Sequence, residues 1–408
     1  MIRFKTILVI VFSLAPANLV FSQSFSARLG KVEALGDLTN APAFQEAKDF
    51  DLEADPSSDV RAIYYDGLDW KGKPTKVFAI LGLPKERQGK VPAIVLVHGG
   101  GGKAFPEWVK NWTDRGYAAI SMSVEGHRTT RQSHAWPGPE RDGIYHDSSE
   151  PLTDQWMYHA VADTILANSL MRSLPEVDAS KVGLMGISWG GVITSTVVGI
   201  DDRFAFAIPT YGCGDLATAA NQYGRALGNN DVYQNVWDPM LRLDKATMPM
   251  LWFSWPQDKH FPMNHFAASY QAAAGDRMVS LVPNMRHGHG PPWRRPESYA
   301  FANSVIETGR PWCTQTTALV NDGRAKVRFS STKPIENGDL VWTADVGVTG
   351  LRKWVETPAT LQTDGLTATV SADLPPNATA WFINVISGDL IASSDYQSVT
   401  SDSSTSLD

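Results

Sequence analysis

The stretch "KVGLMGISWGGVITS", residues 181–195, closes an apolar run on Gly-x-Ser-x-Gly and passes straight into a second apolar segment. A buried strand that turns abruptly into a helix holds the central serine in a strained conformation, with its hydroxyl raised above the sheet. Glycine at 186 and 190 suits such a turn, because a β-carbon there would strike the neighbouring helix or strand. Ser188 is therefore a candidate nucleophile. It needs a base to take its proton, an acid to orient that base, and N–H donors for the oxyanion. "LWFSWPQDKHF" sets Asp258 just beyond a predicted strand, 70 residues after the serine. "LVPNMRHGHGPPW" sets His287 and His289 beyond the next strand, His287 29 residues further on. Serine, acid, histidine is the chain order found where an α/β fold carries its nucleophile at such a strand–turn–helix. His287 comes first on its loop and is read as the base, with His289 as its support or as a substrate contact. His-x-His is also a common metal-ligand spacing. No third ligand cluster of matching quality accompanies it, so neither a metal nor an organic cofactor is expected. "HGGGG", residues 98–102, lets backbone approach a substrate oxygen, and the N–H groups of Gly100 and Trp189 would form the oxyanion hole. The run lacks the lysine and Ser/Thr of a phosphate-binding loop.

These residues need a sheet whose strands end on one edge. "VRAIYYDGLDWKGKPTKVFAILGLP" (60–84) reads as an antiparallel strand pair, and "VPAIVLVHGGGG" (91–102) as a strand buried on both faces. Helical and strand patterns then alternate to "ESYAFANSVIETG", which predicts a mostly parallel sheet covered by helices on both faces. Two long intervals, 125–154 and 212–247, follow strand ends on the edge where open α/β sheets bind ligands. The first would bring Trp136 and Tyr145 near the serine, and "GPPW" adds Trp293 beside the base. After about residue 313 the pattern has period two with no helix signal, which predicts a small β-sandwich over 314–400 and a tail over 401–408. Residues 23–59 read as an irregular extension, and 60–313 as the catalytic domain.

The chain has 408 residues, 43% hydrophobic and 19% charged, with a formal net charge of −7. That is a globular composition without the basic stripe of a nucleic-acid partner. Arg3 and Lys5 precede an apolar stretch and then small residues near 15–22, the pattern of a secretory signal peptide over 1–22. The expected mature protein is secreted or periplasmic, without membrane insertion, and its oligomeric state is left open. Of the 14 tryptophans, most would pack the core and some could face flat rings such as sugars. Cys213 and Cys313, the two cysteines, could pair or remain buried thiols.

"LVHGGGG", "GISWGG", "YGCG" and "NMRHGHGPPW" resemble the α/β-hydrolase superfamily. Within it they resemble its exported bacterial acetyl xylan esterase and dienelactone-hydrolase-like branch, related to the prolyl-oligopeptidase hydrolase domain. The likeness covers about residues 60–310. It implies Ser188 as nucleophile, Asp258 as acid, His287 as base, and Gly100 and Trp189 at the oxyanion. It further implies a serine esterase acting on a small ester or an acylated polysaccharide. A serine peptidase, or a glycan-binding protein with a vestigial triad, are the alternatives. The N-terminal β-propeller of the oligopeptidases has no counterpart here, which argues against peptidase activity.

Overall fold

A computed structural model describes residues 17–52, 58–128 and 132–399. The expected signal peptide lies outside the described residues up to residue 16, as does the tail from 400. The helix α1 (Ala17–Glu33) begins within the expected leader and, with β1 (Phe44–Glu46), replaces the irregular extension. Of its described side chains, Phe25 and Leu29 are half-buried, and Val32 and, in the next turn, Leu35 are buried. The spacing 25, 29, 32 is helical, a period the sequence reading passed over.

The antiparallel pair is β2 (Ser58–Asp66) and β3 (Lys76–Pro84). Beyond it lie β4 (Val91–Val97), α2 (Pro106–Thr113), β5 (Ala118–Met122), α3 (Trp156–Ser173), β6 (Val177–Ile187) and α4 (Trp189–Val197). They are followed by β7 (Phe206–Thr210), α5 (Gln222–Leu227), β8 (Met250–Ser254), α6 (Met263–Ala272), β9 (Arg277–Leu281) and α7 (Glu297–Thr308). The strands β5, β4, β6, β7, β8 and β9 are parallel neighbours in that order. Strands β4, β5, β7 and β8, and β6 from Val182 on, are buried along nearly their whole length, as strands covered by helices on both faces must be. Their C-terminal ends share one edge, and Ser188, Asp258 and His287 all follow on that edge.

The C-terminal part is antiparallel. It comprises β10 (Cys313–Asn321), β11 (Arg324–Ser331), β12 (Asn337–Thr343), β13 (Val355–Pro358), β14 (Thr360–Asp364), β15 (Thr367–Asp373), β16 (Ala380–Ser387), β17 (Leu390–Ser393) and β18 (Gln397–Ser398). One sheet runs β10-β11-β15-β14. In β11 Ala325, Val327, Phe329 and Ser331 alternate inward, the period-two pattern of a strand with one wet face. The other C-terminal strands continue the large sheet in the order β9-β17-β16-β12-β13. The junction is the pair Ser393 and Val279, reinforced by Leu281 N–H donating to Ser393 Oγ at 2.8 Å. The two layers face each other where Gly338 of β12 lies under Val370 of β15. Trp112, Trp237, Trp252 and Trp312 are fully buried, and Cys213 and Cys313 are separate buried thiols.

Candidate active site

Ser188 stands between β6 and α4 with φ 61° and ψ −117°, a conformation that a non-glycine residue adopts only when its surroundings impose it. Its N–H donates to Thr210 O of β7 at 2.9 Å. A β-carbon on Gly190 would run into the carbonyl of Val97, so glycine is what lets α4 start this close to β4. Ser188 is half-buried and reachable from solvent.

Its hydroxyl lies 3.0 Å from His287 Nε2, and His287 Nδ1 lies 2.8 Å from Asp258 Oδ2. Asp258 has no exposure, and its other oxygen accepts the N–H groups of His260 at 2.8 Å and Phe261 at 3.0 Å. A buried carboxylate held this way accepts and does not donate, so His287 carries its proton on Nδ1. The Nε2 lone pair then faces the serine. The ring is gripped by Tyr211, 4.5 Å between centroids, and the Tyr211 hydroxyl donates to Arg286 O at 2.6 Å. C-terminal residues brace the acid loop. Met263 N–H donates to Thr349 Oγ1 at 2.7 Å, and a β-carbon on Gly350 would collide with the Asp258 carbonyl.

The glycine run folds over the same serine. A β-carbon on Gly99 would stand 2.8 Å from Ser188 Cβ. Gly99 N–H donates to His289 Nε2 at 3.0 Å, and Gly101 N–H to Glu125 Oε1 at 2.9 Å. The N–H groups of Gly100 and Trp189 donate to no described acceptor. His289 is thus a partner of the backbone beside the nucleophile. Burial, then the neighbouring His287, hold its pKa below the ordinary imidazole range, which keeps Nε2 an acceptor.

Four residues that the sequence reading passed over complete this edge. His98 is fully buried, accepts Val124 N–H at 3.1 Å through Nε2 and donates from Nδ1 to Gly99 O at 2.7 Å. Burial pushes its pKa down to about 4, so it is a neutral clamp on the glycine turn. Glu125 is 4% exposed. Burial acts to raise its pKa, but His127, His98, the Gly101 N–H and Arg141 outweigh burial and bring it down to about 2. His127 Nε2 sits 3.6 Å from Glu125 Oε2, too far for a hydrogen bond. Arg141 donates from Nε to Glu125 at 3.1 Å and from Nη1 to Gly143 O. Tyr223 packs edge-on to Trp189, with centroids 5.6 Å apart. The available signal was position. Glu125 follows β5 on the sheet edge that carries Asp258, and Arg141 and Tyr223 lie in the two long loops of that edge.

The aromatic candidates separate. Tyr145 is buried behind Trp189, 5.5 Å between centroids, and offers no free face. Trp136 departs from the expectation. It packs on Tyr64 and under Lys76, and its carbonyl accepts Lys76 N–H, which ties it to the β2–β3 edge away from the serine. Trp293 stacks near Trp108, 4.9 Å between centroids, and Trp108 in turn meets His289. Trp293 also borders a groove of about 920 Å³ between α7 and the C-terminal strands.

A parallel sheet with a strained serine at a strand-to-helix turn, facing a histidine and a buried carboxylate in that chain order, defines an α/β hydrolase. The family model described as acetyl xylan esterase matches residues 32–214, and that of the prolyl oligopeptidase family matches residues 143–304. Among solved structures, the acetyl xylan esterase from Paenibacillus sp. R4 superposes with a TM-score of 0.54 at 22% identity, over 69% of this chain and 94% of that one. Acetyl xylan esterase 1 from Thermoanaerobacterium sp. JW/SL YS485 superposes with a TM-score of 0.51 at 19% identity, over 66% and 90%. At such identities the structural likeness is one of fold. The chain has the α/β-hydrolase fold, is similar to these two families, and is a serine hydrolase of carboxylic esters. No helix of the described residues is long and apolar enough to cross a membrane.

Proposed function

We propose that this protein is a secreted serine esterase that removes acetyl groups from polysaccharide. The observation that carries the reading is the unbroken chain Ser188 Oγ, His287 and Asp258, at 3.0 and 2.8 Å. Ser188 Oγ attacks the ester carbonyl carbon while His287 Nε2 takes the hydroxyl proton. The carbonyl oxygen becomes an oxyanion facing the N–H groups of Gly100 and Trp189. Collapse breaks the bond to the alcohol, which leaves with the proton from His287, and the acetyl group stays on the serine. Water, deprotonated by His287, attacks that acyl-enzyme. Acetate departs and Ser188 Oγ takes the proton back. Asp258 holds the imidazole tautomer throughout. The catalytic part is 60–313, and 314–400 forms the β-sandwich region that braces the acid loop.

Buried Trp189, Tyr145 and Tyr223 close the space beside the nucleophile, which favours a small acyl group. Each methylene that fails to fit is worth about 1–3 kcal/mol. In a panel of p-nitrophenyl esters, kcat/KM for acetyl should exceed that for octanoyl by at least about tenfold. An acetylated xylo-oligosaccharide should outrun ethyl acetate. An optimum at octanoyl or longer would remove the carbohydrate assignment. The prolyl oligopeptidase match supports a second reading, a serine peptidase on the same triad. Turnover of an aminoacyl anilide in preference to acetyl esters would select it.

A further inference from the structure

Arg141 and Tyr223 have no part in the acyl-transfer steps, yet both flank Trp189 at the nucleophile. The Arg141 guanidinium lies 5.6 Å from the Trp189 ring, and its orientation is fixed from behind by buried Glu125 and the Gly143 carbonyl. That leaves Nη2, which donates to no described residue. It lies against Gly100, 2.8 Å from where a β-carbon on that glycine would stand. Tyr223, at the start of α5, is 5% exposed and packs against Trp189 and Phe261. Its hydroxyl makes no hydrogen bond to a described residue, and it lies within electrostatic reach of Asp258 and, less strongly, of Arg141. A guanidinium held rigid by a buried carboxylate, with one face of its fork empty beside a reactive centre, is prepared for an anion.

We propose that Arg141 Nη2, with Tyr223 Oη, forms a specificity site for a carboxylate on the substrate close to the scissile ester. The proposal rests on the esterase reading above and narrows it to acidic esters. The carboxylate could belong to the sugar, as in a uronic-acid-bearing acetylated oligosaccharide, or to the acyl chain, as in a dicarboxylate half-ester. Arg141 and Tyr223 are specificity residues here and take no proton.

The test uses the full mature chain and two matched pairs. The acyl pair is p-nitrophenyl hemisuccinate against p-nitrophenyl butyrate. The sugar pair is acetylated xylo-oligosaccharide with and without a glucuronic acid branch. The readout is the charged-to-neutral ratio of kcat/KM within each pair. In the wild type one pair should show a ratio of about 10 to 100, the worth of one charge-assisted hydrogen bond, and that pair identifies the source. Arg141→Gln should bring the ratio to about one. Arg141→Lys should leave an intermediate ratio because the charge stays and the fork is lost, and Tyr223→Phe should lower the ratio severalfold. Should Arg141→Gln fail to fold, the other two variants decide. A wild-type ratio near or below one in both pairs, or a ratio unmoved in the variants, overturns the proposal. Such a result leaves the esterase reading standing as long as Ser188→Ala abolishes hydrolysis of the neutral esters. Neutral-ester hydrolysis that survives Ser188→Ala would overturn that reading instead.

Discussion

Replacing His289 separates the two histidines of "HGH" by magnitude. In His289→Ala, Gly99 N–H loses its acceptor at 3.0 Å while remaining buried beside Ser188. A buried unpaired N–H costs about 1–3 kcal/mol. The ring also leaves its contacts with Phe105 and Trp108 at 5.3 and 5.8 Å. Because Gly99 directly precedes the proposed oxyanion donor, part of that cost falls on the transition state. A loss in kcat of about ten- to a hundredfold, with KM little changed, is expected. His287→Ala removes the proton acceptor itself and should cost about 10⁴-fold or more. His289→Gln offers a carbonyl oxygen to the same N–H and should recover much of the loss. The comparison is made at pH 7.5 with p-nitrophenyl acetate, where burial and His287 keep His289 neutral. Equal inactivity of the two alanine variants, or greater damage at His289, would refute the assignment of roles.

Stability should fall on the acid side because His98 is neutral and fully enclosed. Its pKa drops from the unfolded value of 6.5 to about 4, so the unfolded chain binds the proton more tightly. The full contribution is present above pH 6.5 and is lost as pH falls towards 4. It amounts to about 3 kcal/mol, and a melting-temperature series in which His98→Asn flattens that fall checks it. A chelator should leave turnover unchanged, since both ring nitrogens of His287 and one of His289 are already engaged. Loss with EDTA and recovery with zinc would restore "HGH" as a metal pair.

The arrangement of the edge was legible because it obeys order and register. An apolar run, a turn residue and a polar side chain at each strand end locate Ser188, Asp258 and His287 without any knowledge of the loops. The parallel core was legible for the same reason, since strands buried on both faces read as unbroken apolar runs. What escaped is set by contacts between distant segments. Trp136 and Tyr145 share one loop, yet Lys76 pairs with the backbone at Trp136 and ties its ring to the β2–β3 edge. Glu125 and Arg141 gain meaning only together, as an ion pair with a buried carboxylate and a half-buried guanidinium, and neither carries a local pattern. Strands β13 and β14 are mostly exposed and show little alternation to detect. The C-terminal strands were readable as β structure, but their continuity with the large sheet rests on one residue pair and a few side-chain bonds.

The central claim is that one hydroxyl, raised at the turn between β6 and α4, carries the reaction. Ser188→Ala removes that oxygen and leaves the backbone and its neighbours in place. Measured on an acetyl ester, with folding verified by an unchanged melting temperature, kcat should fall by about 10⁴-fold or more. Only the background from backbone donors and binding would remain. A folded variant that keeps more than about one per cent of wild-type turnover would contradict the account, because the nucleophile would then lie elsewhere.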